Sequence, residues 1–127
     1  HALLWNGTAE SAIDLNPVGF ESSYASDVAG GRQVGSGAGF VTNGNTHALL
    51  WNGTAQSVVD LHVSLLALGT QFSSSFASSI GENGNIVGFA YTLDGVGQAV
   101  LWIPIPEPCT AVIVAIAIMC MSPRHFR

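Results

Sequence analysis

His1 and His47 each open the run His-Ala-Leu-Leu-Trp, and Asp14 and Asp60 each end the apolar run that follows. An imidazole can serve as a base or a metal ligand. A residue that recurs once per repeat, however, normally serves the packing or hydrogen bonding of the repeat itself. Gln98 stands where a third such histidine would, and an amide replaces a hydrogen-bonding imidazole but not a titrating one. A structural role is therefore expected for both histidines. A glycosidase needs two carboxylates about 5 to 10 Å apart across the cleaved bond, and sequence spacing alone does not establish such a pair. Glu10 is replaced by Gln56 in the second unit, so the recurring Asp14 and Asp60 read as turn caps.

Trp5, Trp51 and Trp102 each end a short apolar run, and core packing is the expected use of such large indoles; a sugar-stacking row is the other use of their faces. Gly35-Ser36-Gly37-Ala38-Gly39 reads as a flexible bend, since no nucleophile elbow, dinucleotide fingerprint or phosphate loop surrounds it. Asn6-Gly7-Thr8 and Asn52-Gly53-Thr54 match a glycosylation acceptor, but Asn-Gly already explains both as hairpin turns. Both cysteines, Cys109 and Cys120, fall in the C-terminal apolar stretch; on a helix they would lie about 16 Å apart, too far to bridge. No ligand spacing for zinc appears, so no catalytic residue, cofactor or metal site is expected.

Charged residues are only 9% of the chain, against about a quarter in ordinary soluble domains, so Ser, Thr, Asn and Gly must face the water. Such an uncharged polar surface is common on exported β-proteins. Arg32 is the only basic residue before the C-terminal tail, which excludes the clustered positive charge that nucleic acid requires.

The elements that must position these residues come from internal repetition. Residues 1 to 15 and 47 to 61 agree at 12 of 15 positions. Residues 23 to 35 correspond to 75 to 88, and Gln98-Ala99-Val100-Leu101-Trp102 begins a third unit. Residues 1–102 thus form a β-repeat region of units 1–46 and 47–97 with a third starting at 98. The repetition at the chain's start implies further sequence upstream. Asn-Gly and Asp-Gly pairs separate short apolar runs, predicting four strands in the second unit at about 47 to 51, 57 to 61, 74 to 80 and 85 to 92. The expected fold class is mainly β: antiparallel four-stranded units resembling propeller blades, in an incomplete array because a ring needs at least four blades.

Residues 103–108 form a proline-rich linker, and 109–127 the final segment. Its apolar run, 109 to 121, predicts a short hydrophobic helix of about 20 Å against a hydrocarbon core of about 30 Å, too short for a comfortable transmembrane helix. The only helix of more than two turns is expected within 107 to 122.

Pro106-Glu107-Pro108, the apolar run, and Arg124 with Arg127 together resemble the PEP-CTERM sorting signal of Gram-negative and related bacteria. Cys109 stands where that signal usually has Ser or Thr. The upstream units resemble extracellular HAF-type repeats through His47 to Trp51 and Ile80 to Gly88, with Gly81 in place of the usual Asn. The sorting-signal resemblance implies export, transient anchoring in the inner membrane through 109–121, and processing near 106 to 108 by an exosortase. It also implies a mature protein at the cell surface or in the extracellular matrix, associated with exopolysaccharide. Arg124 and Arg127 beyond the apolar run agree with a cytoplasmic C-terminus. The expected function is a non-catalytic, surface-displayed β-repeat protein. The alternative is an extracellular enzyme acting on polysaccharide, with its catalytic residues upstream.

Overall fold

Short runs of β-branched and aromatic residues, punctuated by glycines at positive φ, fold here as antiparallel strands. The computed structural model describes residues 1–68, 71–104 and 113–118. A hairpin joins β1 (Leu3–Leu4) to β2 (Ile13–Asp14). A four-stranded sheet follows, in the order β3 (Phe20–Ala29), β4 (Arg32–Gly39), β5 (His47–Trp51) and β6 (Val59–Asp60). A second contains β7 (Phe72–Ile80), β8 (Ile86–Thr92), β9 (Gly97–Pro104) and β10 (Ile113–Ile118). The strands of the second unit lie within two residues of their expected bounds, and the third start falls inside β9. Both four-stranded sheets are antiparallel with sequential neighbours, and the described residues make no closed ring or propeller.

The sheets are staggered against the repeats. Each unit gives its first two strands to one sheet and its next two to the following sheet. The first four-stranded sheet thus combines β3 and β4 of unit one with β5 and β6 of unit two. Alternation along β5 then divides the core. Leu49 and Trp51 pack with Ala2, Leu4 and Leu15 of the hairpin, while Ala48 and Leu50 join Val34, Leu61 and Leu65 against Ala77, Ile80, Ile86, Val100 and Trp102 of the second sheet. Each fully buried leucine contributes about 1.5 to 3 kcal/mol, so both joints are held mainly by apolar burial.

The glycine-rich stretch 35 to 39 is a correction: it lies within strand β4 and is not a bend. A Cβ on Gly35 would sit 1.8 Å from the Tyr24 carbonyl oxygen, and one on Gly39 would sit 2.4 Å from that of Gly19. The glycines let β3 approach, next to bulges in β3 at Ala25/Asp27 that recur in β7 at Ala77/Ser79. The Asn-Gly turns are also wider than two-residue hairpins. Gly7 and Gly53 do take positive φ, but each is followed by a 3₁₀ turn, Ala9–Ser11 and Ala55–Ser57.

Two further expectations fail. Leu61–Leu68 forms a 3₁₀ helix of 8 residues, more than two turns, outside the 107 to 122 segment. Leu61 and Leu65 from it are buried in the core. Within the expected C-terminal hydrophobic helix, residues 113 to 118 are strand β10, paired with β9 from Ile113↔Pro104 to Ile118↔Ala99. Ile113, Val114, Ile116 and Ile118 are β-branched, which favours extension, and β9 offers an open row of backbone groups. β9 itself runs on to Pro104, two residues into the expected linker. Among the described residues no helix is long and apolar enough to cross a membrane.

Candidate functional site: the histidine joints

The recurring polar residues meet where one sheet abuts the next. His47 opens β5 and Asp60 closes β6; the two strands are antiparallel partners, which brings these ends together. His47 Nδ1 donates to Asp60 Oδ2 at 2.7 Å, and in the first unit His1 Nδ1 donates to Asp14 Oδ2 at 2.8 Å. Each aspartate also accepts a backbone N–H with its other oxygen, Asp14 from Asn16 and Asp60 from His62, both at 2.9 Å. The turn-capping and hydrogen-bonding roles expected for these four residues are therefore present.

Ser75 of β7 ties the second sheet to the first. Its hydroxyl oxygen accepts the Ala48 N–H at 2.9 Å and lies 2.8 Å from His62 Nδ1. His62 Nε2 lies 3.1 Å from the Phe72 carbonyl oxygen, which can only accept, so the proton sits on Nε2 and Nδ1 accepts from Ser75. The same joint recurs between the hairpin and the first sheet, where Ala2 N–H donates to Ser23 Oγ at 3.0 Å. The His47 and His62 rings stack with centroids 4.1 Å apart at 8°. Burial pushes His62 below the usual imidazole value, and the neighbouring His47 adds to the shift; the Phe72 carbonyl and Asp60 oppose it.

Ser75 and His62 resemble a nucleophile and its base, but the geometry forbids that chemistry. Ser75 is completely buried, and both His62 ring nitrogens are occupied by internal partners. No substrate atom can reach the hydroxyl. Among the described residues no group of three or more His, Cys, Asp and Glu side chains could hold a metal ion.

The tryptophans complete each joint. Trp51 Nε1 donates to the Leu15 carbonyl at 2.7 Å, and Trp102 Nε1 to the Leu61 carbonyl at 3.1 Å. Both indoles are fully buried, whereas Trp5 is 56% exposed. A second tie crosses from β3 to β7. Asp27 Oδ2 accepts from Ile80 N–H at 2.9 Å and from Ser79 Oγ at 3.1 Å. Its other oxygen accepts the Val28 N–H at 2.9 Å, and these three bonds, the Ile80 amide first, then the Val28 amide and Ser79, hold the Asp27 carboxyl below its ordinary range.

Sequence reasoning did not single out His62, Asn16, Ser23, Ser75 or Asp27. Ser23 and Ser75 had a legible signal, since they recur in equivalent runs. Asn16 and His62 hid theirs because the residue type changes between units. The expected sorting residues Pro106, Glu107, Pro108, Arg124 and Arg127 lie outside the described residues. Compared with protein-family models, with curated proteins and with solved structures, the chain finds no match.

Proposed function

We propose that this chain belongs to an exported, surface-displayed, non-catalytic β-repeat protein of the extracellular polysaccharide matrix, delivered by a C-terminal sorting signal that an exosortase-type enzyme reads. One observation carries the non-catalytic part. The residues that recur, His1/His47, Asp14/Asp60, Ser23/Ser75 and Trp51/Trp102, make the same contacts at successive joints, so what repeats is the means of stacking sheets. The sparse charge and the Pro106-Glu107-Pro108 tail with Arg124 and Arg127 support the export part. In this reading residues 109–121 meet the inner membrane transiently before release.

The test is expression behind an export signal in a Gram-negative bacterium that carries an exosortase, followed by intact-mass analysis of the surface fraction. The expected mature protein ends near residues 106 to 109, and Glu107→Ala or the pair Arg124→Ala and Arg127→Ala leaves precursor with the membranes. A mature surface protein that keeps Arg127 overturns the sorting signal. Release of reducing ends from exopolysaccharide by the purified chain overturns the non-catalytic assignment.

A further inference from the structure

Strand direction sorts the connections of this chain to two ends. Phe20 pairs with Gly39, Gly37 with His47 and Phe72 with Thr92, and the Ser75 N–H donates to the Thr46 carbonyl at 2.9 Å, so both sheets align at this end. The turns at the opposite end, 6 to 12, 30 to 31, 52 to 57 and 81 to 85, contain no apolar residue larger than alanine. The connections at the first end expose Val18, Phe40, Leu66 and Leu93. Phe40 directly follows β4 and is 86% exposed; Leu93 directly follows β8 and is 89% exposed. Further repeat units would stack on sheet faces, whereas these tips stand at strand ends. Phe40 belongs to the sheet that has the hairpin on one side and the second sheet on the other, and Leu66 to the connection between the two sheets. Their exposure is therefore not set by how many units precede or follow.

We infer that this end is a lipid-binding rim, whose apolar tips insert shallowly into the interfacial layer of a zwitterionic bilayer. Three observations select lipid. Side chains as exposed as Phe40 and Leu93 touch almost nothing of their own chain, so the tips project singly and do not form the flat, packed patch of a protein interface. The backbone behind them is already satisfied, as a medium without water demands: the amides of Val41, Asn43, Gly44 and Asn45 donate to the carbonyls of Gly19, Phe40, Gly39 and Thr42, and Gly95 donates to Thr92. Charge supplies no pull toward acidic headgroups. Arg32, the only Lys or Arg among the described residues, opens β4 at the opposite end, while Glu21 lies beside Phe40 and Asp94 follows Leu93. Binding is thus apolar in origin, and anionic lipid opposes it. The inference does not rest on export, because the purified chain and plain vesicles test it.

Flotation of the 127-residue chain with phosphatidylcholine vesicles is the experiment. The expected result is binding that about 0.5 M salt changes by less than about twofold, and that added phosphatidylglycerol weakens. Phe40→Ser with Leu93→Ser removes two tips and should weaken partitioning at least about tenfold. Both positions are exposed, so the variant keeps its fold, which its circular dichroism spectrum checks. The apolar run 109 to 121 can also hold lipid, and a reporter at the rim separates the two. Brominated acyl chains should quench the added indole of Phe40→Trp and leave that of Gln56→Trp, at the opposite end, unquenched. Failure to bind phosphatidylcholine, unchanged binding by the double serine variant, equal quenching of the two reporters, or a requirement for anionic lipid each overturns the inference. Self-association without lipid that Phe40→Ser abolishes also overturns it, and assigns the rim to a second copy of the chain.

Discussion

Asn16 and His62 hold the same place in successive units and make the same three hydrogen bonds. Each backbone N–H reaches the preceding aspartate; each side chain accepts from a serine hydroxyl, Ser23 at 2.6 Å and Ser75 at 2.8 Å; each donates to a phenylalanine carbonyl, Phe20 at 2.9 Å and Phe72 at 3.1 Å. An amide and a neutral imidazole both present one acceptor and one donor at opposite edges of a flat group. Only the imidazole can take a proton, and doing so would turn its acceptor into a second donor aimed at Ser75.

That difference predicts a pH effect. Folding favours neutral His62, so its value falls below the unfolded one; stability is fully present above about pH 6.5 and declines as pH falls through that value toward the folded one. Urea midpoints should fall between pH 8 and pH 5, and His62→Asn should reduce that fall while leaving stability at pH 8 within about 1 kcal/mol. His62→Leu, which leaves the Ser75 O–H without its acceptor and the Phe72 carbonyl without its imidazole donor, should cost about 1 to 3 kcal/mol at either pH. An unchanged acid slope in His62→Asn would remove His62 as the sensor.

Trp51→Phe keeps most of the buried ring but deprives the Leu15 carbonyl of its donor. The expected loss is about 1 to 3 kcal/mol. Trp5→Phe, at an exposed equivalent, should shift monomer stability by no more than about 0.5 kcal/mol. Equal effects in dilute urea titrations would show that the indole hydrogen bond adds nothing to the joint.

Asp27 links sheets through a carboxylate held in its ionised form, so its contribution is present above about pH 4 and is lost as pH falls through the lower folded value. Asp27→Ala should lower the thermal midpoint at pH 7, and the gap from wild type should close in strong acid. A gap that persists at low pH would trace the loss to packing.

Gly35→Ala places a methyl group into backbone, 1.8 Å from the Tyr24 oxygen, and should cost about 3 kcal/mol or more. Gly7→Ala meets nothing within 4 Å and suffers only from its φ of +91°, about 1 to 2 kcal/mol. Circular dichroism melts that rank the two in the opposite order would refute the close approach of β3 and β4.

Much of this fold is legible in the sequence, and the misreadings have physical causes. His47 to Trp51 and Ile86 to Thr92 read as strands because apolar runs end at glycine turns. Gly35 to Gly39 read as a bend because local propensity cannot reveal a neighbouring strand that excludes side chains. Ile113 to Ile118 read as helix because an apolar run has no period of its own, and the open edge of β9 decided the matter. At the joints, recurrence pointed correctly to His47 and Asp60 as structural residues. It passed over His62, whose partner in the other unit is an asparagine.

The half-unit stagger between repeat and sheet has a consequence for how such chains can be spliced. A cut at the start of a His-Ala-Leu-Leu-Trp run falls between β4 and β5, through the middle of a sheet. Rejoining there with any other whole unit supplies two strands to the broken sheet and two to the next. Length can therefore change by whole units while every sheet is still assembled from two halves of the same kind. The positions that must survive each splice are few: the aspartate that caps the turn, the serine that crosses the joint, and the tryptophan that reaches back for a leucine carbonyl.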